Sequence, residues 1–200
     1  MAIDWLILEK IQQIFGSGFC DWFMPRITVL GNAGIIWIII GVAMLISKKY
    51  RKYGVLVLAG LLIGLIIGNG IVKNVVQRAR PCWIDTNFKM LIAIPKDYSF
   101  PSGHTQASCI ATTIITLTNK KFGWVVIPLT IIIAFSRMYL YVHFPSDILG
   151  GAVLGITIGA LTYVYGTKIL KIKKNNPQNC IYGKHNGIKG LFGGGKWKKF

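Results

Sequence analysis

From Ile27 to Ser47 the chain runs for 21 residues without a charged side chain. A stretch this long and apolar fits the roughly 30 Å hydrocarbon layer of a bilayer as an α-helix. Lipid offers no partner to backbone N–H and C=O groups, so the helix must satisfy its own. Further apolar runs follow at 54–72, 122–142 and 148–165, with a shorter one of fifteen residues at 105–119. Hydrophobic residues make up 53% of the chain and charged ones 14%, which is too apolar for an ordinary soluble domain. The expected fold is all-α: a polytopic transmembrane bundle of about five spans, formed by one domain over residues 1–165.

Residues 1–16 read differently. Trp5, Leu6, Leu8, Ile11, Ile14 and Phe15 alternate with Asp4, Glu9, Lys10, Gln12 and Gln13 in a helical pattern that Gly16-Ser17-Gly18 ends. This amphipathic helix is too polar to span. It is expected in the interface plane, and docking against the bundle is the alternative. It carries two acids and one lysine, unlike the basic leader of a signal peptide.

The net charge is +17, from 23 Lys and Arg against 6 acids. A basic excess can mark a nucleic-acid binder. Here the cations sit in short clusters between apolar runs, the usual pattern of cytoplasmic loops facing anionic lipid. Membrane lipids, and no nucleic acid, are the expected partners. Lys48, Lys49, Arg51 and Lys52 follow the first run, and Lys120 with Lys121 closes the third. The stretch from Gly166 has nine lysines and no acid, and is expected to be a disordered cytoplasmic tail over 166–200. With five spans these clusters share the cytoplasmic side, and residues 73–104 and 143–147 fall outside. Cys20, Cys82, Cys109 and Cys180 match no metal-ligand spacing. Cys20 and Cys82 fall on the outer side, where free thiols are preferred to a disulfide.

The chemistry lies in three short stretches. The first is Lys73 to Pro81, K-N-V-V-Q-R-A-R-P. The second is Pro101-Ser102-Gly103-His104. The third is Ser136 to Asp147, holding Arg137 and His143. Ionisable groups in a span cost about 2.5–3.5 kcal/mol each even on lenient scales, so they mark function by default. Counting back from the cytoplasmic lysines puts His104 and Arg137 roughly 24 Å up, and Lys73 and Asp147 roughly 31 Å, at 1.5 Å per helical residue. All three stretches therefore share one layer near the outer face.

Lys73 and Arg80 are seven residues apart, two turns of a helix, and are expected to face the same way. With Arg137 they make three cations short of an anion, since only Asp85, Asp97 and Asp147 lie nearby. Arginine forks suit phosphate oxygens, and lysine adds a point charge. Arg78 is read as a cation reaching out to the interface. Ser102 and Gly103 open a helix whose free N–H groups favour an anion. His143 and Asp147 are expected to meet through a turn at Pro145, the carboxylate fixing the imidazole tautomer. Two imidazoles, His104 and His143, with three cations suit phosphoryl transfer by nucleophile and acid. No carboxylate cluster suits Mg²⁺, so neither metal nor cofactor is expected.

Together K-x6-R-P, P-S-G-H and S-R-x5-H-x3-D resemble the type 2 phosphatidic acid phosphatase family, the membrane lipid phosphate phosphatases. The resemblance covers residues 73–147. It implies that His143 attacks phosphorus to form a phosphohistidine, with Asp147 orienting it and His104 protonating the leaving oxygen. It implies that Lys73, Arg80, Ser102, Gly103 and Arg137 hold the phosphoryl oxygens, and that no metal is used. Soluble haloperoxidases share the motifs, and the apolar runs argue against that reading. The expected activity is hydrolysis of a lipid phosphate or diphosphate at the outer leaflet of the cell membrane. Undecaprenyl diphosphate is preferred over phosphatidylglycerophosphate and phosphatidic acid. A lipid phosphotransferase and a non-catalytic binder or flippase are the competing classes. No ionisable residue lies in the inner half of any run, which disfavours a transporter. Oligomeric state is not legible.

Overall fold

The computed structural model describes residues 2–172, and every described element is helical. Helix α1 spans Ala2–Phe15 and α2 Gly18–Gly31, with Ser17 capping α2 by accepting from the Cys20 N–H. A single 3₁₀ turn, Asn32–Gly34, joins α2 to α3 (Ile35–Ile46). Ala33 and Gly34 there have φ of 50° and 70°, so the first long apolar stretch is kinked rather than straight. Helix α4 starts at Arg51 and runs to Gly64. It continues as a π segment, Leu65–Val72, and a last α turn, Lys73–Val76. Short α5 is Pro81–Ile84. Then come α6 (Gly103–Thr118), α7 (Lys120–Tyr139) and α8 (Pro145–Ile169).

Four stretches are long and apolar enough to cross a membrane: 18–46, 51–84, 120–139 and 145–169. The fifth expected span is α6, and it differs for a physical reason. It has 16 residues, and Thr105, Gln106 and Ser108 on its first turns are buried. It sits inside the bundle, where neighbours rather than lipid satisfy it. Large apolar side chains on the outer helices, such as Trp124, Val125, Leu149 and Val153, face outward as a lipid boundary requires.

Helices α6 and α8 touch most closely, and three glycines at four-residue spacing explain it. A Cβ at Gly151 would stand 2.7 Å from the Ser102 carbonyl, at Gly155 2.5 Å from that of Gln106, and at Gly159 2.9 Å from that of Ile110. Small residues four apart let helix backbones approach where lipid supplies no hydrophobic drive. Below this seam Trp37, Val57, Ile110, Ala111, Ile114 and Ile133 form a buried apolar layer. The Trp37 indole reaches across to donate to Ser108 Oγ at 2.8 Å.

The basic helix ends gather at the opposite end from the three motifs. There Lys52 Nζ donates to the Leu170 carbonyl at 2.7 Å, and the Tyr50 ring meets Phe122. The last span, expected to stop at Tyr165, continues to Ile169, and Gly166 within it sits directly against Leu56. The lysine-rich tail otherwise lies outside the described residues. Helix α1 docks against the bundle through Leu8, which is fully buried, while Ile3 and Ile14 stay exposed. Cys20, Cys82 and Cys109 are free thiols.

Candidate active site

One end of the bundle holds a cavity of about 760 Å³. Lys73, Arg80, Gly103, His104, Arg137 and His143 all line it, so the three motifs meet in space. Its far wall is apolar, built from Val29, Ile38, Leu58, Leu61, Leu62 and Leu65, and the loop residues Ile92–Pro95 cover one side.

Lys73 and Arg80 converge by a route other than the expected continuous helix. The helix ends at Val76, Gln77 turns left-handed with φ 47°, and Arg80 is extended before Pro81 opens α5. Arg80 is fully buried and spends every donor. Its Nε donates to the Asp97 carbonyl (2.7 Å) and Nη2 to Asp97 Oδ1 (2.8 Å) and the Tyr98 carbonyl (3.2 Å). Nη1 donates to the Val142 carbonyl (2.7 Å) and meets His143 Nε2 at 3.1 Å. Lys73 Nζ donates to the other Asp97 oxygen. Burial pushes the Asp97 carboxyl up, but the bonds and charge of Lys73 and Arg80 outweigh it and bring it to about 2. Asp97, seen in the sequence only as one of few nearby acids, thus stands on the two cations where an anion is wanted.

Arg137 is buried at the last turn of α7. Its Nη1 donates to Thr28 Oγ1 at 2.6 Å, and its Nε has no partner among the described residues. A buried charged donor without an acceptor is costly, and a bound phosphoryl oxygen would relieve it.

The contacts of His143 decide its tautomer. A guanidinium can only donate, so Nε2 must accept from Arg80 and the ring proton sits on Nδ1. Burial, with the charges of Arg80, Arg137 and Lys73, holds the imidazole well below its ordinary pKa, so the ring is neutral. Nδ1 lies 3.4 Å from Ser99 Oγ and 3.6 Å from Asp147 Oδ2. The expected direct bond to Asp147 is therefore mediated: Ser99 Oγ donates to Asp147 Oδ2 at 2.5 Å and faces the ring nitrogen with its free lone pair. Pro145 starts α8, and Asp147, two residues on, caps it by accepting from the Phe144 N–H at 2.8 Å.

His104 opens α6 on the other side of the cavity. It is half-buried, and its Nε2 donates to Asn32 Oδ1 at 2.9 Å. Its ring lies against Gly31, where a Cβ would come within 2.5 Å of Cδ2. Ser102 and Asp147 are not on the cavity wall. Ser102 is fully buried, its Oγ accepting from Thr105 at 3.1 Å and its N–H donating to the Asp147 carbonyl.

Arg78 also departs from its expected place. It does not reach to an interface but donates to Ser146 Oγ (2.7 Å), Asp147 Oδ1 (2.6 Å) and Asp4 Oδ2 (2.8 Å). Sequence reasoning missed Ser99, Asp4 and Asn32 as well. Nothing marks them locally, since their partners lie 48, 74 and 72 residues away. Among the described residues no group of three or more His, Cys, Asp or Glu is placed to hold a metal.

The sequence model of the PAP2 superfamily matches residues 53–171, more than half of the chain. The chain belongs to the PAP2 superfamily. All three motifs fall inside that match, and α1 to α3 precede it. Phosphatidylglycerophosphatase B of Bacillus subtilis is 30% identical over 186 residues, 84% of this chain and 85% of that one. The undecaprenyl-diphosphatase of Sulfolobus acidocaldarius is 31% identical over 128 residues, and the undecaprenyl-diphosphatase BcrC of B. subtilis 32% over 118. Those matches take in 64% and 58% of this chain, and span 62% and 58% of the relatives. Among solved structures, the transmembrane PAP2-type phosphatidylglycerolphosphate phosphatase of B. subtilis superposes with a TM-score of 0.69. It has 26% identity, and 88% of each chain is covered. LpxE of Aquifex aeolicus shares the fold, with a TM-score of 0.68 at 21% identity over 82% of this chain and 97% of that one. Like these membrane relatives, this PAP2 protein is a multi-pass membrane protein.

Proposed function

We propose that this PAP2 protein is a lipid phosphatase that hydrolyses a lipid phosphate or diphosphate, such as undecaprenyl diphosphate, through a phosphohistidine on His143. The observation that carries the reading is one cavity lined by His143 and His104, by the cations Lys73, Arg80 and Arg137, and by apolar side chains that include Leu58, Leu61, Leu62 and Leu65. A soluble phosphate ester would have no use for the leucines of that wall. A lipid presents both halves at once.

The steps balance with the chain's own groups and water. The phosphoryl group displaces Asp97 from Lys73 and Arg80 and takes the free Nε–H of Arg137 and the N-terminal N–H groups of α6. Arg80 Nη1 turns from His143 Nε2 to a phosphoryl oxygen, which frees the Nε2 lone pair to attack phosphorus as the bond to the leaving oxygen breaks, and His104, an imidazolium when the anionic substrate is bound, delivers its proton to that oxygen. As Nε2 becomes bonded to phosphorus, the positive charge on the ring is met by Ser99 and Asp147 at Nδ1–H. Water, deprotonated by His104, then attacks phosphorus and breaks the P–N bond, freeing phosphate and restoring neutral His143.

The same reading places the site at the extracytoplasmic face, with the basic helix ends and the tail on the cytoplasmic side. No metal takes part. Relatives named for undecaprenyl diphosphate and for phosphatidylglycerophosphate support the lipid class. The test is phosphate release by purified protein in detergent with EDTA, across undecaprenyl diphosphate, phosphatidylglycerophosphate and phosphatidic acid. Release that EDTA abolishes would overturn the mechanism. Release only when an acceptor other than water is supplied would make the protein a phosphotransferase.

A further inference from the structure

We propose that Asp4 of α1 and Arg78 are positioning residues for His143, acting through Asp147. The inference rests on the phosphatase reading above and adds to it a role for the N-terminal helix, which lies outside the family match.

Asp147 is fully buried, and its two oxygens are divided. Oδ2 serves the His143 side, taking the Ser99 hydroxyl and the Phe144 N–H. Among the described residues Oδ1 has one partner, Arg78 Nη1 at 2.6 Å. The other arm of that guanidinium, Nη2, is held by Asp4 Oδ2 at 2.8 Å. Asp4 in turn accepts the Ser146 N–H at 3.0 Å and hydroxyl at 2.7 Å, directly beside Asp147. The Arg78 plane lies over the Phe144 ring at 4.4 Å. Acid, base and acid thus alternate from α1 to the residue behind the nucleophile.

This is not a solvated surface pair. The side chains of Arg78 and Asp4 are 15% and 13% exposed. Without Arg78, Oδ1 of a buried carboxylate would have no donor, and the carboxylate would turn or take up a proton to find one. Either change withdraws Oδ2 from Ser99 and loosens the imidazole. Helix α1 is also fixed to the segment around His143 at other points. The Trp5 ring meets Phe144 edge-on at 5.0 Å, and Gln12 Nε2 donates to the Tyr139 carbonyl at 2.7 Å. The arginine that the sequence gives to the interface is instead the link between α1 and the catalytic turn.

The test compares full-length wild type, Arg78→Ala, Arg78→Lys, Asp4→Asn and the Asp4→Asn/Arg78→Ala double variant on undecaprenyl diphosphate. Inorganic phosphate serves as a competing anion. Loss of an outer partner that orients a reacting group typically costs about 10–100-fold, so Arg78→Ala should lower kcat by that much, and Arg78→Lys should recover part of it. KM and inhibition by inorganic phosphate should stay within about threefold, since Lys73, Arg80 and Arg137 are untouched. Asp4→Asn should lower kcat by less, and the double variant should be no worse than Arg78→Ala alone, because residues in one network are not additive. Full kcat in Arg78→Ala would overturn the proposal, and so would losses that multiply in the double variant. Phosphate inhibition that weakens in step with kcat would also overturn it, by showing general damage. If Arg78→Ala does not fold, Arg78→Lys and Asp4→Asn decide by the same criteria. A wild type that releases no phosphate from any of the three lipids would overturn the phosphatase reading and the relay with it. Activity lost in His143→Ala but intact in Arg78→Ala sinks the relay alone.

Discussion

The two histidines of the cavity are held in opposite ways. His143 sits in a turn and is locked on both ring nitrogens, by Arg80 on one side and by Ser99 with Asp147 on the other. His104 sits on a regular helix, half-buried, and its Nε2 bonds a neutral partner on an exposed turn, Asn32. The regular element carries the loosely held group, and the irregular one carries the fixed group. A nucleophile must be aimed, and a buried polar network fixes aim better than a helix does. A proton donor must follow an oxygen that moves as its bond breaks, and one neutral hydrogen bond leaves it that freedom.

The largest break in this comparison is His143→Ala. Removing a nucleophile from a covalent mechanism typically costs on the order of 10³-fold or more, so turnover with EDTA present should fall to background. Acid-unstable, base-stable phosphate should be trapped on wild type and be absent from this variant. Next comes His104→Ala. General acid catalysis is worth about 10²–10⁴-fold, and that full loss is expected on phosphatidylglycerophosphate, whose leaving alkoxide is poor. On p-nitrophenyl phosphate, whose leaving group needs little protonation, the loss should be much smaller. Equal losses on the two substrates would remove His104 from the acid's role.

The contrast also separates what could be read in the sequence from what could not. Charged and imidazole groups are rare in apolar runs, so Lys73, Arg80, His104, Arg137 and His143 stand out, and counting helical rise brings His104, Arg137, Lys73 and Asp147, one or more from each motif, to one layer. Lys73 and Arg80 do not meet on the shared helix face that their spacing predicts. The chain leaves the helix at Val76 through a left-handed Gln77, which no composition signal announces. The π segment of α4 is equally silent, although its glycines are needed, since a Cβ at Gly68 would overlap Gln106. Supporting residues were the least legible. Ser99 is one serine in a loop, and Arg78 is one cation of a basic run. What distinguishes them is a partner far along the chain, and that is a property of the fold.

Supporting residues sharpen the comparison in turn. Ser99→Ala removes the hydroxyl between His143 and Asp147 and leaves a 3.6 Å gap that neither group closes by itself. A hydrogen bond to a charged group is worth about 1.5–3 kcal/mol, so kcat should fall roughly 10–150-fold. Because the defect lies behind the nucleophile, trapped phosphohistidine should form more slowly on every substrate, good leaving group or poor. A loss confined to poor leaving groups would place Ser99 on the acid's side of the reaction instead.

Asn32→Ala is the counterpart on the other side of the cavity, and its effect should be the smallest. A neutral hydrogen bond at a solvent-exposed turn is worth about 1 kcal/mol, so the expected loss is about fivefold. It should appear on phosphatidylglycerophosphate and be nearly absent on p-nitrophenyl phosphate, because the only group disturbed is the acid. The ring would still be held on one face by its contact with Gly31, where there is no room for a Cβ. A loss as large as that of His104→Ala would mean that His104 is as tightly aimed as His143. The two histidines would then differ only in the number of their partners, and the link between a loose hold and proton delivery would fail.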